Sequence, residues 1–222
     1  MAEYQDMQST ATGSGVTQTN KVLRNTYALL SMTLLFSAFT AGIAMMVGLS
    51  QGVALIMMFA AIGIMWFVLP RSINSGMGIV WTFVLTGLLG ASLAPMLSAY
   101  VAAGMGGLVL QALAGTAIIF FSLSGYALVT RKDFSFMGGI LFVGLMVVLV
   151  AMLANIFLQI PLLSMVMSGV IILIMSGLIL FDTSRIIHGG ETNYVRATVS
   201  LYMNVFNIFI HLLHLLGVMN DD

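Results

Sequence analysis

Long apolar runs separated by short polar breaks recur seven times along this chain, at about 27–48, 53–69, 78–99, 105–129, 137–157, 162–181 and 198–217. Each is close to the roughly 20 residues that a helix needs to cross the hydrocarbon of a bilayer. The breaks hold turn residues: Pro70 to Gly76, Gly104 to Gly107, and Gln159 with Pro161. No run alternates apolar and polar positions as a membrane strand would. The pattern predicts an all-α integral membrane protein of seven transmembrane helices. Pro95, near the end of the third run, should bend that helix by removing a backbone bond. Met1 to Asn20 is rich in Ser, Thr, Gln and Gly and has no apolar period. It is expected to be a disordered tail, 1–20, leading into a seven-span domain, 21–222.

Composition strengthens this reading. Hydrophobic types make up 60% of the 222 residues and charged types 6%, where a soluble domain carries roughly 25% charged residues. Too few polar side chains exist to cover a soluble particle of this size. Net charge is zero, so neither nucleic acid nor an acidic substrate is implied as a partner. The absence of cysteine excludes disulfides, thiol catalysis and thiolate metal sites. The 19 methionines are scattered, which fits flexible packing rather than a copper cluster.

Charge placement gives an independent count. Lys21 and Arg24 sit just before the first run, as in a signal anchor that stays in the mature protein. With the tail in the cytoplasm, the inner loops hold Lys21 and Arg24, then Arg71, then Arg131 and Lys132, then Arg185 and Arg196. Those are all seven basic residues. The outer breaks near 49–52, 100–104 and 158–161 carry none, as the positive-inside rule requires. A six-span arrangement would need one run to be re-entrant. Seven spans place the C-terminus, with Asp221 and Asp222, on the outer, periplasmic side.

Polar groups inside the runs are the functional candidates, because each is costly in lipid and faces protein or water. Asp182 closes the sixth run in Leu180-Phe181-Asp182-Thr183. It can pair with Arg185 three residues on, or handle protons or cations. The seventh run carries Ser200, Asn204, Asn207, His211 and His214 at steps of four, three, four and three, which places all five on one helix face. Such a stripe lines an aqueous path or packs as interhelical hydrogen-bonding glue. A metal site at His211 and His214 is disfavoured, since no carboxylate or third His lies within a turn or two. Asn155 and Gln159 form a shorter pair on the fifth run and read as structural.

Enzyme classes fare poorly. A retinal Schiff base needs a lysine inside a span, and Lys21 and Lys132 lie in loops. An intramembrane serine protease needs a Gly-x-Ser-Gly turn, and Ser122-Leu123-Ser124-Gly125 has Ser where the first Gly should be. The segment Ile187-His188-Gly189-Gly190-Glu191 does not supply a His-Glu-x-x-His zinc motif. No catalytic role and no cofactor are expected.

The run Thr86-Gly87-Leu88-Leu89-Gly90-Ala91-Ser92-Leu93-Ala94-Pro95-Met96-Leu97 resembles the signature of the Bax inhibitor-1 family, and Ala114-Gly115-Thr116-Ala117-Ile118-Ile119-Phe120 is similar to its second half. Asp182-Thr183 and the closing Ser200-Leu201-Tyr202-Met203-Asn204-Val205-Phe206-Asn207 also match, so the resemblance covers nearly the whole chain. It implies a bundle in which six helices surround a central seventh. It also implies a pH-sensitive calcium leak controlled by two aspartates on the last two spans. By motif the first of these is Asp182 and the second position is Asn204. An Asp–Asn pair hydrogen-bonds without a shared proton and has no like-charge repulsion to open it. The family's second-span arginine is also missing, since Arg71 lies beyond that run. The candidate ion or proton path is therefore Asp182 with Asn204, Asn207, His211 and His214.

Lys21-Val22-Leu23-Arg24-Asn25-Thr26-Tyr27, Thr130-Arg131-Lys132-Asp133, Asn155-Ile156-Phe157-Leu158-Gln159 and His188-Gly189-Gly190-Glu191-Thr192-Asn193-Tyr194 are similar to bacterial inner-membrane members. That similarity implies a modulator of the membrane AAA+ protease FtsH and its HflK and HflC partners. A loose cytoplasmic tail suits such a role, because a processive protease engages a loose end.

Overall fold

A computed structural model describes residues 2–220, with side chains described from Gln18 onward. Seven helices are long and apolar enough to cross a membrane. We number them α1 (Ala2–Met46, of which Gln18–Met46 is the apolar part), α2 (Gln51–Ser72), α3 (Gly76–Ala102), α4 (Gly106–Thr130), α5 (Met137–Leu158), α6 (Pro161–Ile187) and α7 (Tyr194–Asn220). No strand occurs among the described residues. The disordered tail expected over 1–20 falls almost wholly where side chains lie outside the described residues.

Two prolines shape the helices differently. Pro95 interrupts α3, which stops at Ser92 and restarts at Ala94. Its ring would clash with the carbonyl four residues back, and it has no N–H to donate. Pro70 was expected to lie in a loop, but α2 runs through it to Ser72. The helix widens into a π-turn over Ile64–Val68, in which Leu69 N–H donates to the Ile64 carbonyl five residues back. The wider turn makes room for the Pro70 ring and lets the helix continue. Between α3 and α4 the chain reverses at Gly104, whose φ of 76° is the left-handed region that favours glycine.

α7 is the centre of the bundle. Its backbone lies against α1, α3, α4 and α6, while α2 packs on α3 and α5 packs on α6 from outside. Tyr202, Leu201, Ile208 and Leu213 of α7 are fully buried. α5 by contrast presents Ile140, Val147, Val150 and Phe157 outward, as lipid-facing residues should be. α1 and α3 approach closely because Gly87 and Gly90 carry no side chain: a Cβ on Gly90 would collide with the carbonyl and hydroxyl of Ser37. Across that contact Thr40 Oγ1 donates to the Gly87 carbonyl at 3.0 Å. The Tyr202 hydroxyl donates to the Thr86 carbonyl (3.3 Å) and accepts from Ser37 Oγ (2.7 Å), joining α1, α3 and α7 in the core.

All seven basic residues stand at one end of the bundle, near the start of the apolar part of α1, at the start of α7 and at or just beyond the ends of α2, α4 and α6. Loop bonds knit that basic end together. Asn193 Nδ2 donates to the Ile73 carbonyl (3.1 Å) and to Asn74 Oδ1 (2.8 Å). Phe134 N–H donates to Ser184 Oγ (2.9 Å). At the opposite end Asn155 Nδ2 donates to Ser164 Oγ (2.7 Å) and the Ile160 N–H donates to Asn155 Oδ1 (3.1 Å), which clasps α5 to α6. Gln159 meanwhile turns the chain at φ 51°, the structural role expected for this pair.

Candidate functional site

α6 and α7 pack along one another, and the candidate residues lie on their shared face. The stripe of steps four and three turns Ser200 and Asn204 toward Asp182, near the basic end. Ser200 Oγ donates to Asp182 Oδ2 at 2.6 Å, and Asn204 Nδ2 donates to the same oxygen at 2.8 Å. Asp182 and Asn204 are both buried. The pairing of these two positions, read from motif alone, is thus a direct contact, and it needs no shared proton because the amide is the donor.

Arg185 does not pair with Asp182, contrary to one of the two readings of its spacing. Its guanidinium donates to the Gly190 carbonyl (3.1 Å) and lies over the Phe181 ring, 5.5 Å from the centroid. The loop carbonyl and the aromatic face draw the head group outward, where it keeps its hydration. Among the described residues the one ion pair is Arg196 with Glu191, at 3.9 Å. Arg71 donates to the Phe67 carbonyl of its own helix.

Beside Asp182 a hydroxyl triad joins three helices. Tyr27 OH of α1 donates to Ser124 Oγ of α4 (3.0 Å), and Thr183 Oγ1 of α6 lies 3.4 Å from Tyr27 OH and 3.5 Å from Ser124 Oγ. Further toward the other end, His211 Nδ1 and His214 Nδ1 of α7 converge on Ser168 Oγ of α6 at 3.3 and 3.1 Å. Ser168 Oγ itself donates to the Ser164 carbonyl (3.0 Å), so it can accept from both rings. Both histidines therefore face α6. Asn207, between the two groups, donates to the Met203 carbonyl of its own helix (2.8 Å).

The stripe is therefore two hydrogen-bonded clusters. Asp182 with Ser200 and Asn204 forms one, and Ser168 with His211 and His214 forms the other. On α6 the buried side chains of Ile171, Met175 and Ile179 lie between them. Among the described residues no three His, Asp or Glu side chains gather where they could hold a metal ion. Ser168 and the Tyr27–Ser124–Thr183 triad were missed from sequence. Ser164 stands 18 residues, five full turns, before Asp182, and Ser168 stands one turn after it. That register on α6 was the available signal.

Outside the spans, hydrogen bonds from Ser135, its side chain first and then its backbone, hold the Asp133 carboxyl below its ordinary value. The Ser135 N–H donates to Asp133 Oδ1 at 2.8 Å.

A buried carboxylate held by donors between two central helices, in a seven-helix bundle with one basic end, defines a multi-pass membrane protein with a polar core. The family model for the inhibitor of apoptosis-promoting Bax1 matches residues 19–221, and the chain belongs to the Bax inhibitor-1 family. It is 53% identical over 206 residues to an uncharacterized membrane protein of Vibrio cholerae, covering 92% of each chain. It is 52% identical over 204 residues to a protein of Escherichia coli K12 named modulator of FtsH protease YccA, covering 92% of this chain and 93% of that one. The same identity and coverage hold for a protein of Escherichia coli O6:H1 named inner membrane protein YccA.

Proposed function

We propose that this protein is a bacterial inner-membrane protein that binds the FtsH protease complex, with its HflK and HflC partners, and restrains its attack on other membrane proteins. The observation that carries the reading is the 52% identity over 92% of the chain to the Escherichia coli modulator of FtsH protease. The basic end faces the cytoplasm, where the positive-inside rule puts it, so the N-terminus is cytoplasmic and the C-terminus periplasmic. The bundle supports the role physically. Its central helix is tied to α1, α3 and α6 by hydrogen bonds, so pulling out any of these four helices breaks buried bonds. A substrate that can be gripped but is slow to unravel occupies a processive protease.

The test is co-purification of FtsH with the full chain and with a chain lacking residues 1–20. FtsH retained by the full chain and lost without the tail supports both binding and the tail's part. Equal retention removes the tail from the account, and no FtsH with either chain removes the binding reading.

A second reading, a pH-sensitive calcium or cation leak, is favoured by the buried Asp182 cluster. Asn204, in place of a second carboxylate, argues against a two-aspartate switch. Calcium flux into proteoliposomes separates the readings. Flux that changes with pH and is altered by Asp182→Asn supports the leak. No flux in wild type, with or without its appearance in Asn204→Asp, leaves protease modulation.

A further inference from the structure

His211 and His214 stand one turn apart on α7, in the half of the bundle away from the basic end. Both Nδ1 atoms reach a single oxygen, Ser168 Oγ of α6, at 3.3 and 3.1 Å. That hydroxyl gives its own proton to the Ser164 carbonyl (3.0 Å), which leaves both of its lone pairs to accept. A neutral imidazole that donates from Nδ1 keeps a basic lone pair on Nε2. Each ring can therefore take up a proton there without giving up its bond to Ser168. Ser164 extends the network, because its hydroxyl accepts from Asn155 Nδ2 of α5 at 2.7 Å. Two serines thus join α5, α6 and α7 at this end.

Among the described residues no carboxylate stands near the two rings. The ionisable groups of α1 from Gln18 onward, Lys21, Arg24 and Tyr27, lie toward its basic end, and Ala41 and Met45 pack beside Leu213 instead. α3 brings Tyr100, whose hydroxyl donates to the Leu213 carbonyl at 3.3 Å. α4 has Tyr126 near its basic end, and α5 has no ionisable side chain. On α6 the first such groups after Ser168 are Asp182 and Arg185. Asp182 is 14 positions on, about 21 Å at 1.5 Å per residue. On α7 itself Tyr194, Arg196 and Tyr202 lie toward the basic end, and Asp221 and Asp222 follow the described part of the helix.

One proton on the pair keeps both bonds to Ser168 and makes one of them charge-assisted. A second proton sets two cations against one neutral oxygen, and the like charges repel. We infer that Ser168, His211 and His214 form an acid-operated latch between α6 and α7, closed while the pair holds at most one proton and released by the second. Charging of histidine clusters moves interfaces in the mildly acidic range. Release is confined to this end, because Asp182 with Ser200 and Asn204 fastens the two helices at the other. On its far side α7 is held by α3, where Tyr100 bonds the Leu213 carbonyl and occupies the space beside Gly217. The part left to move is the outer end of α6. α5 moves with it, since among the described residues α5 packs on no other helix. In the orientation proposed above the latch faces the periplasm, and its working does not depend on FtsH.

The test uses the full chain in detergent micelles. The protein has no cysteine, so Leu162→Cys on α6 and Met219→Cys on α7, both exposed at the outer end, each take one spin label. The distance between the labels is followed from about pH 8 to about pH 4.5, across the histidine range. It should lengthen on acidification by about 2 Å or more, the size of a helix shift at an interface. His211→Gln with His214→Gln should hold it constant, and Asp182→Asn should leave the lengthening intact. The proposal is overturned by a constant distance in wild type, by lengthening that survives the double histidine substitution, or by lengthening that Asp182→Asn abolishes. NMR of a histidine-labelled His188→Gln chain gives a second readout with the latch residues unaltered, since only His211 and His214 then carry signals. The two rings should titrate in separate steps, as groups that share one acceptor must. Coincident titration of both rings would overturn the shared site.

Discussion

Asn204→Ala removes one of the two donors on Asp182 Oδ2 and leaves a buried carboxylate with Ser200 alone. In soluble proteins a hydrogen bond to a charged group contributes about 1.5–3 kcal/mol. Interhelical hydrogen bonds in membranes are weaker, averaging about 0.6 and reaching about 1.7 kcal/mol, because separated helices find other partners in the bilayer. The membrane scale governs here. A buried contact of 2.8 Å to a carboxylate belongs at its upper end. We therefore expect Asp182→Ala and Asn204→Ala to couple by about 1–2 kcal/mol in a double-mutant cycle. The assay is unfolding in mixed detergent micelles, followed by the fluorescence of Trp66 and Trp81, for wild type, both single variants and the double. Asn207→Ala is the reference, because its amide bonds within its own helix. Its coupling to Asp182 should stay within about 0.5 kcal/mol. Equal coupling for Asn204 and Asn207 would refute the claim that Asp182 fastens α6 to α7.

Gly90→Val should lower stability by about 1–3 kcal/mol through overpacking against Ser37 and Thr40, read as a lower melting temperature. Gly139→Ala, which faces open space, should change little, and equal effects would count against the close approach of α1 and α3. Asn193→Ala cuts the bonds from the start of α7 to Ile73 and Asn74. Hydrogen exchange around residues 73–75 should then rise, and unchanged exchange would show that the loops are held by something else. Asp133 has a lowered pKa, so its bond to the Ser135 N–H should persist down through the ordinary carboxylate range. It should be lost only as pH falls through the lowered value. Protection of that amide, corrected for intrinsic rates, should follow this course in wild type and be flat with pH in Asp133→Asn.

The seven spans and the bend at Pro95 were legible because both rest on properties of single segments: apolar length, and a missing N–H. Pro70 misled, since a proline after an apolar run reads as a terminator. Only the backbone shows that a π-turn accommodates its ring. The contact between Asp182 and Asn204 was legible from helical spacing together with the family motif. Arg185 was not, because its choice depends on where the Gly190 carbonyl lies after the chain turns at Gly189. Ser168 escaped notice for a related reason. A lone serine in an apolar run barely changes hydropathy, and the two imidazoles that mark it out come from another helix.

The central claim is that this bundle restrains FtsH, and its most direct test is reconstitution. Purified FtsH is placed in liposomes with a membrane substrate that has a loose cytoplasmic end, and substrate turnover is followed with and without an equimolar amount of this protein. Turnover should slow when the protein is present, while the protein itself is degraded more slowly than the substrate. Substrate turnover unchanged by its presence would contradict the account.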